Sequence, residues 1–207
     1  MSQFFQIHPD NPQVRLIRQA VEIVRQGKVI VYPTDSGYAL GCGIGEKTAT
    51  DRIRMIRRLD DRHNFTLVCR DLADISNFAK LENSDYRLVK KATPGPFTFI
   101  LNATSEVPRR LLHPKRRQIG IRIPDNRITQ ALLEELGAPL MSTTLIMPGE
   151  EMPLTDPYDI RQLLEHQVDL IIDGGYCGME PTTVINLSGD EGPELIRQGA
   201  GDPAPFL

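Results

Sequence analysis

Three small polar side chains follow an apolar run near the start of the sequence, at the point where a buried strand should end. The run "VIVY" (29–32) predicts that strand, Pro33 is expected to stop it, and Thr34, Asp35 and Ser36 come next. Ligands bind at the carboxyl ends of strands in an open α/β sheet, so these hydroxyls and this carboxylate could hold a polar ligand. The same residues also suit a plain turn, because Pro, Asp, Ser and Gly favour turn dihedrals. The stretch alone leaves both interpretations open.

Other motifs that could indicate chemistry are incomplete. The stretch "LGCGIGEKTA" (40–49) has three glycines, but a dinucleotide-binding loop needs a further glycine where Glu46 stands. No phosphate-loop lysine–hydroxyl pair and no nucleophile elbow occur in the sequence. Its four histidines are isolated from one another, and Cys42, Cys69 and Cys177 lack metal-ligand spacing. The sequence therefore predicts no metal site and no tightly bound cofactor.

The distribution of charge along the chain is uneven. The 207 residues carry a net charge of −3, yet residues 52–127 hold 17 Lys and Arg against 8 Asp and Glu. Within 108–122 no acidic residue occurs, and the cations that precede the strand there are Arg109, Arg110, Lys115, Arg116 and Arg117. Such a segment can attract phosphates or nucleic acid, although a solvated loop that keeps the protein soluble is the alternative.

Nothing in the sequence indicates secretion or insertion into a membrane. The apolar runs are too short to cross a bilayer, and no basic residue precedes the first apolar patch. Three widely spaced cysteines suit a reducing compartment, so we expect a cytoplasmic protein with no membrane partner.

Hydrophobic periodicity predicts alternating helices and strands in a single domain over 1–207. Asn11-Pro12 is the expected start of a first helix that ends at Gly27. Further helices are predicted over 48–59, 71–80, 84–92, 126–136 and 156–167. Strands are predicted over 29–32, 65–69, 97–103, 118–124, 139–143, 168–173, 182–187 and 193–198. Because the last strands run close together, this order favours a mixed α/β sheet over a purely parallel one.

Six motifs in succession resemble those of the threonylcarbamoyl-AMP synthase family, also called YrdC-like, in its YciO-type branch. They are "YPTDSGYALGC", "ATPGPFTFIL", "IGIRIPDN", "MSTTLIMPG", "PTTVINL" and "LIRQGA", and they extend from about Gly27 to Ala200. The resemblance implies an α/β fold with a twisted mixed β-sheet, flanked by helices, around a large positively charged cavity.

The resemblance also implies the ligands of that cavity. Family enzymes take ATP with Mg²⁺ as a substrate complex, L-threonine and bicarbonate, and they release pyrophosphate and threonylcarbamoyl-AMP for tRNA modification. The residues that match threonine-binding positions are Thr34, Arg122, Ser142 and Thr182, and those that match nucleotide-binding positions are Arg58, Thr144 and Arg197. No covalent nucleophile is expected, because this chemistry rests on positioning and charge neutralisation. Some members also bind double-stranded RNA or tRNA.

Two positions depart from the family pattern. Asp60 stands where family enzymes carry an arginine, and Ile146 stands where they carry an asparagine. Both changes concern the nucleotide, so they predict altered specificity or weak activity unless Arg57 or Arg62 compensates.

Two hypotheses follow from the sequence. One is an enzyme that makes threonylcarbamoyl-AMP weakly or with shifted specificity. The other is a non-catalytic protein that binds double-stranded RNA or tRNA through the basic cavity and the cations of 108–122. The absence of Trp and the low aromatic content of 6% favour duplex over single-stranded RNA.

Overall fold

The computed structural model describes residues 1–60, 63–113 and 115–207, and the strands among them form one twisted mixed sheet. Its eleven strands in these residues are β1 (Gln3–Gln6), β2 (Ile30–Thr34), β3 (Gly37–Gly43), β4 (Thr66–Val68), β5 (Ala79–Lys80), β6 (Phe97–Ala103), β7 (Gln118–Arg122), β8 (Leu140–Thr144), β9 (Leu170–Asp173), β10 (Thr183–Asn186) and β11 (Glu194–Arg197). The helices there are α1 (Val14–Arg25), α2 (Lys47–Arg57), α3 (Leu72–Phe78), α4 (Asn83–Ala92), α5 (Arg127–Leu136) and α6 (Pro157–Leu164).

The sheet mixes parallel and antiparallel neighbours, as the sequence predicted. Its order is β1-β9-β2-β3-β8-β4-β7-β6-β10-β11, with β5 paired to β6. The antiparallel ladder β2-β3-β8-β4 joins the antiparallel pair β7-β6 through a parallel β4-β7 pairing. This order places β2 and β8 parallel to each other on either side of β3, with their carboxyl ends at the same edge, although Tyr32 and Ser142 on the two strands lie 110 residues apart in sequence.

Two apolar clusters cover the two faces of the sheet. Residues of β2 alternate between them, with Val31 in one cluster and Ile30 and Tyr32 in the other. Helices α1 and α5 pack on the face that holds Ile30, and their residues Val21 and Leu132 are almost fully buried there. Burial of a side chain of this size contributes roughly 1.5–3 kcal/mol, so the two clusters hold the strands in place.

The ends of two predicted elements were wrong. Helix α1 is capped by Gln13 without a side-chain hydrogen bond, and Asn11-Pro12 lies outside it. Pro33 does not stop β2, which continues to Thr34. On the β9 side, the described pairing of β2 covers Ile30 and Val31 and does not reach Pro33. A proline is tolerated there because that part of β2 needs no N–H donor toward β9.

The sequence also failed to predict β1, β3 and β5. The glycines of β3 obscured its strand character in the sequence, but at least one of them has a packing reason. A Cβ atom on Gly41 would lie 2.7 Å from Cε1 of Tyr32, so the ring of Tyr32 needs a glycine beside it. Strand β1 is half polar and β5 has two residues, and neither shows a periodic signal.

Candidate ligand-binding site

A cavity of about 350 Å³ opens between the strands, with lining residues from β2, β3, β4, β6, β7, β8, β10 and β11. Its volume lies at the lower end of the range for small-molecule sites, roughly 300–1,000 Å³. Arg57, Arg122 and Arg197 line it, and no Asp or Glu is among the lining residues that the structure describes. Such a wall suits a ligand that carries negative charge.

Arg122 is the most buried cation of the cavity, with 7% of its surface exposed. Its Nη1 donates to Ser36 Oγ at 2.9 Å, and its Nη2 donates to the carboxylate of Asp35. Asp35 is held in turn by the backbone N–H of Asp125, 2.9 Å from Oδ2. The Nε of Arg122 is buried and has no partner among the described residues. A buried, fixed guanidinium with unused donor capacity is suited to an incoming carboxylate or phosphate.

The polar cluster of Thr34, Asp35 and Ser36 therefore fits both interpretations of the sequence, a ligand site and a turn. Thr34 lines the cavity, and its Oγ1 also closes a turn by donating to Gly37 O at 2.6 Å and accepting from Ser36 N. Asp35 and Ser36 hold Arg122 and do not line the cavity themselves. The polar cluster is thus partly a turn and partly the support of a cation.

Ser142 is hydrogen-bonded to the buried side chain of Tyr32. The two hydroxyls, Tyr32 OH and Ser142 Oγ, are 2.6 Å apart, and Ser142 donates to Leu40 O at 3.2 Å. Burial raises the pKa of Tyr32 to about 12, so its phenol stays protonated and donates to Ser142. Sequence reasoning found Ser142 but missed Tyr32, although the phenol of Tyr32 and the hydroxyl of Ser142 form one hydrogen-bonded pair.

Thr182 and Arg197 meet at another part of the wall. Arg197 donates from Nη2 and Nε to the carbonyl of Thr182 at 2.9 and 3.2 Å, which joins β11 to the start of β10. The hydroxyls of Thr182 and Thr98 are 2.8 Å apart, and both residues line the cavity. Thr98, on β6, was not predicted as a site residue.

At the C-terminus of α2, Arg57 lines the cavity and Arg58 does not. Arg58 is exposed and caps the helix in the left-handed conformation, with a φ of 50°. The nucleotide-binding role of Arg58 stays a prediction, and Arg57 is the cation that faces the cavity. The side chain of Asp60 is exposed and outside the lining, Ile146 is in the lining, and Arg62 lies outside the described residues.

Arg57 and His63 share a hydroxyl in this part of the wall. Arg57 Nη1 donates to Thr143 Oγ1 at 2.9 Å and to the carbonyl of Thr144, and His63 Nε2 is 3.3 Å from the same Thr143 oxygen. Burial and the nearby Arg57 lower the pKa of His63, so its ring is neutral at neutral pH. No sequence motif pointed to His63, because the histidines are isolated along the chain.

The basic segment forms a different surface from the cavity. The five cations at 109–117 are all exposed and are not among the residues that line the cavity, and their RNA-binding role stays a prediction. They are Arg109, Arg110, Lys115, Arg116 and Arg117. Arg117 instead borders a surface pocket with Lys80, and Arg110 donates to the carbonyl of Gly45.

In the described part of the chain, no three His, Cys, Asp or Glu side chains lie together as a metal site would require. Within those ranges no helix has both the length and the apolar character to cross a membrane.

The mixed sheet and its arginine-lined cavity belong to a known class of protein. Residues 22–199 match the Sua5/YciO/YrdC family model, which bears the description "Telomere recombination". The chain is therefore a member of the Sua5/YciO/YrdC family, as its six motifs predicted.

Among individual proteins, the chain is similar to YciO of Escherichia coli strain K12, an uncharacterized protein. The two are 61% identical over 207 residues, which is 100% of each chain. The crystal structure of E. coli YciO superposes with a TM-score of 0.96 over 100% of both chains.

Two more distant relatives are a threonylcarbamoyl-AMP synthase and a Sua5 protein. A threonylcarbamoyl-AMP synthase of Vibrio vulnificus (strain YJ016) is 26% identical over 186 residues, 88% of this chain and 98% of that protein. P. abyssi Sua5, in a crystal structure with L-threonine, has a TM-score of 0.87 and 24% identity over 96% of this chain and 58% of its own. At that identity the second likeness concerns the fold alone.

Proposed function

We propose that the cavity binds L-threonine and the phosphates of ATP and forms threonylcarbamoyl-AMP weakly or with shifted specificity. The observation that carries the proposal is Arg122, which is buried, fixed by Asp35 and Ser36, and has an unpartnered Nε. The likeness to a V. vulnificus threonylcarbamoyl-AMP synthase over 88% of this chain supports the choice of reaction.

Each group of the amino acid has a suitable partner in the wall. The carboxylate of threonine suits Arg122, because a guanidinium binds a carboxylate through paired hydrogen bonds. The hydroxyl and amino groups suit Thr34 and Ser142, which line the same cavity. Thr182 is the remaining predicted threonine partner and also lines it.

The nucleotide would extend toward the other two arginines. Arg57 and Arg197 provide positive charge for the phosphates of an ATP–Mg²⁺ substrate complex, and Thr144 provides a hydroxyl. The amino group of threonine and bicarbonate would form a carbamate with loss of water. A carbamate oxygen would then attack the α-phosphate of ATP, and pyrophosphate would leave. The residues of the chain act by orienting the reactants and by neutralising the triphosphate, and none of them forms a covalent bond to the substrate.

The shifted specificity follows from one substitution in the wall. Ile146 lines the cavity and cannot donate the hydrogen bonds of the asparagine that the family pattern has there. Asp60 lies outside the described lining, so it weakens nucleotide binding less than its charge would suggest.

The test is a pyrophosphate-release assay on the full chain with ATP, Mg²⁺ and bicarbonate, with and without L-threonine. The proposal predicts threonine-dependent pyrophosphate and a nucleotide product with the mass of threonylcarbamoyl-AMP. Replacement of Ile146 by Asn should raise the rate, and Asp60→Arg should change it less. A protein that binds neither threonine nor ATP, and releases no pyrophosphate, would contradict the proposal.

The exposed basic segment favours a second function, the binding of double-stranded RNA or tRNA. Its five cations are exposed, and no acidic residue interrupts residues 108–122. Contacts from such a segment would go mainly to phosphates, so the affinity should fall steeply as the salt concentration rises.

The double variant Arg116→Ala with Arg117→Ala tests this second function. We expect weaker binding of duplex RNA and a smaller salt dependence, measured by titration of labelled RNA at several salt concentrations. Arg15→Ala with Arg18→Ala removes two cations from the exposed face of α1 and serves as the matched control. An equal loss of RNA affinity in both double variants would show that only the net charge of the protein matters and would refute a specific RNA-binding surface.

A further inference from the structure

The hydroxyl of Thr143 in the cavity wall lies between Arg57, which is always charged, and His63, which is charged only when protonated. Thr143 Oγ1 accepts a hydrogen bond from Arg57 Nη1 at 2.9 Å and lies 3.3 Å from His63 Nε2. Both cationic side chains line the cavity, and the Nε of Arg57 is buried with no partner among the described residues. Arg57 and His63 therefore meet at one hydroxyl beside the cavity, and a guanidinium next to a protonatable imidazole suits an anion.

We propose that Arg57 and His63 together form the phosphate subsite of this cavity, in which His63 becomes a second cation only when phosphate is bound or the pH falls. The inference rests on the proposed function, because it concerns the nucleotide end of the same cavity. It assigns the role expected of Arg58 and of the residue at position 60 to two side chains that face the cavity.

The surroundings of His63 explain why its charge is conditional. The charged groups that face it are Arg54 and Arg57 from α2 and Asp60 from the segment after α2. Strand β8 contributes Thr143, and the rings of His63 and Phe65 pack nearly at right angles with 5.5 Å between their centroids. Burial and the arginines favour the neutral ring, Asp60 opposes them, and the pKa is lowered on balance.

A bound phosphate reverses this balance. Its negative charge offsets the repulsion from Arg57, so the pKa of His63 rises and the complex takes up a proton. The neutral ring of His63 can accept a hydrogen bond from the Thr143 hydroxyl. The protonated ring instead donates to the Thr143 oxygen, which leaves the hydroxyl hydrogen of Thr143 free to face the ligand. Each unit by which phosphate raises the pKa of His63 corresponds to about a tenfold gain in affinity toward low pH.

The experiment measures the binding of inorganic pyrophosphate to the full chain by calorimetry from about pH 5 to pH 8, the range in which histidine titrates. The His63→Gln variant keeps a hydrogen-bonding side chain but cannot gain charge. Wild type and variant are compared at each pH, so the protonation of pyrophosphate itself cancels. We expect the wild type to bind more tightly than His63→Gln at low pH and the two to converge toward pH 8.

Matched variants make the result specific. His166 is exposed, lies outside the cavity and has its Nε2 3.3 Å from Glu165, so His166→Gln should follow the wild type at every pH. His63→Arg supplies a permanent charge and should bind tightly without the gain at low pH. A pH dependence in His63→Gln equal to that of the wild type would overturn the inference while leaving the proposed function intact. Failure of every variant to bind pyrophosphate or ATP, in samples that bind threonine, would refute the nucleotide part of the proposed function and the inference together.

Discussion

At the scale of single residues, the site depends on which donors are held in place before a ligand arrives. Arg122 is fixed by Ser36 and Asp35, and Ser142 is fixed by Tyr32 and Leu40. Groups that are already oriented lose less freedom on binding, which favours affinity. The residues matched through the family resemblance, such as Ser142 and Arg197, line the cavity. Arg57, which the sequence suggested only as a substitute for the missing family arginine, lines it as well, and His63 was not predicted. Arg57 follows the buried Ile53 by four residues, so the helical period could have identified it as an inward position.

Replacement of Arg122 by Lys should weaken threonine binding by about tenfold or more, equivalent to roughly 1.4 kcal/mol. Lysine keeps the charge but loses the planar fork that bonds Ser36, Asp35 and a ligand carboxylate together. Equilibrium binding of L-threonine measures the effect.

Arg161→Lys, on α6 and outside the cavity lining, is the control for Arg122→Lys and should bind threonine as the wild type does. Unfolding in denaturant shows whether the Arg122 variant is still folded. Unchanged threonine affinity in a folded Arg122→Lys protein would exclude Arg122 as the carboxylate partner.

At the scale of elements, caps and close packing decide where helices and strands begin. Helix α5 starts where the sequence predicted, because Asn126 Oδ1 accepts from the backbone N–H of Thr129 at 3.1 Å. Helix α1 does not start at Asn11, although Asn-Pro is an equally good signal in isolation. Strand β3 exists because its backbone pairs with β2 and β8, which a glycine-rich sequence does not reveal.

The two asparagines give a matched pair of variants. Asn126→Ala should lower the free energy of unfolding by about 1 kcal/mol, since it removes a working N-cap. Asn11→Ala should leave it unchanged within about 0.5 kcal/mol, because exposed positions away from such features tolerate substitution. Urea unfolding of the two variants and the wild type checks this, and equal losses would show that Asn11 also acts as a cap.

At the scale of the whole molecule, the cavity exists only because strands distant in sequence become neighbours. Strands β2 and β8 lie on either side of β3, and β7 and β6 continue the same wall beyond β4. A ligand in the cavity would contact several strands at once and would therefore stabilise the sheet as a unit.

Ligands that bind only the folded chain should raise its free energy of unfolding. At a threonine concentration 100 times the Kd, the expected gain is about 2.7 kcal/mol. For a chain of this size each kcal/mol corresponds to a rise in Tm of about 2–4 °C. Thermal unfolding with L-threonine and with ATP–Mg²⁺ measures this gain, and D-threonine is the control of equal charge. A Tm that rises equally with both enantiomers would argue against a shaped amino-acid pocket.

The sequence by itself determined the class of fold and most elements, because apolar periodicity and turn residues are local signals that survive in any context. It also determined the family and several cavity residues, since six motifs occur in a fixed order. Tertiary structure alone decided the pairing of Arg122 with Asp35, 87 residues away, and of Ser142 with Tyr32, 110 residues away. It also decided that Arg57 and not Arg58 faces the cavity, and that the basic segment lies outside it. These facts depend on sheet order and on the rotation of one helix end, and neither is encoded in the spacing of residues along the chain.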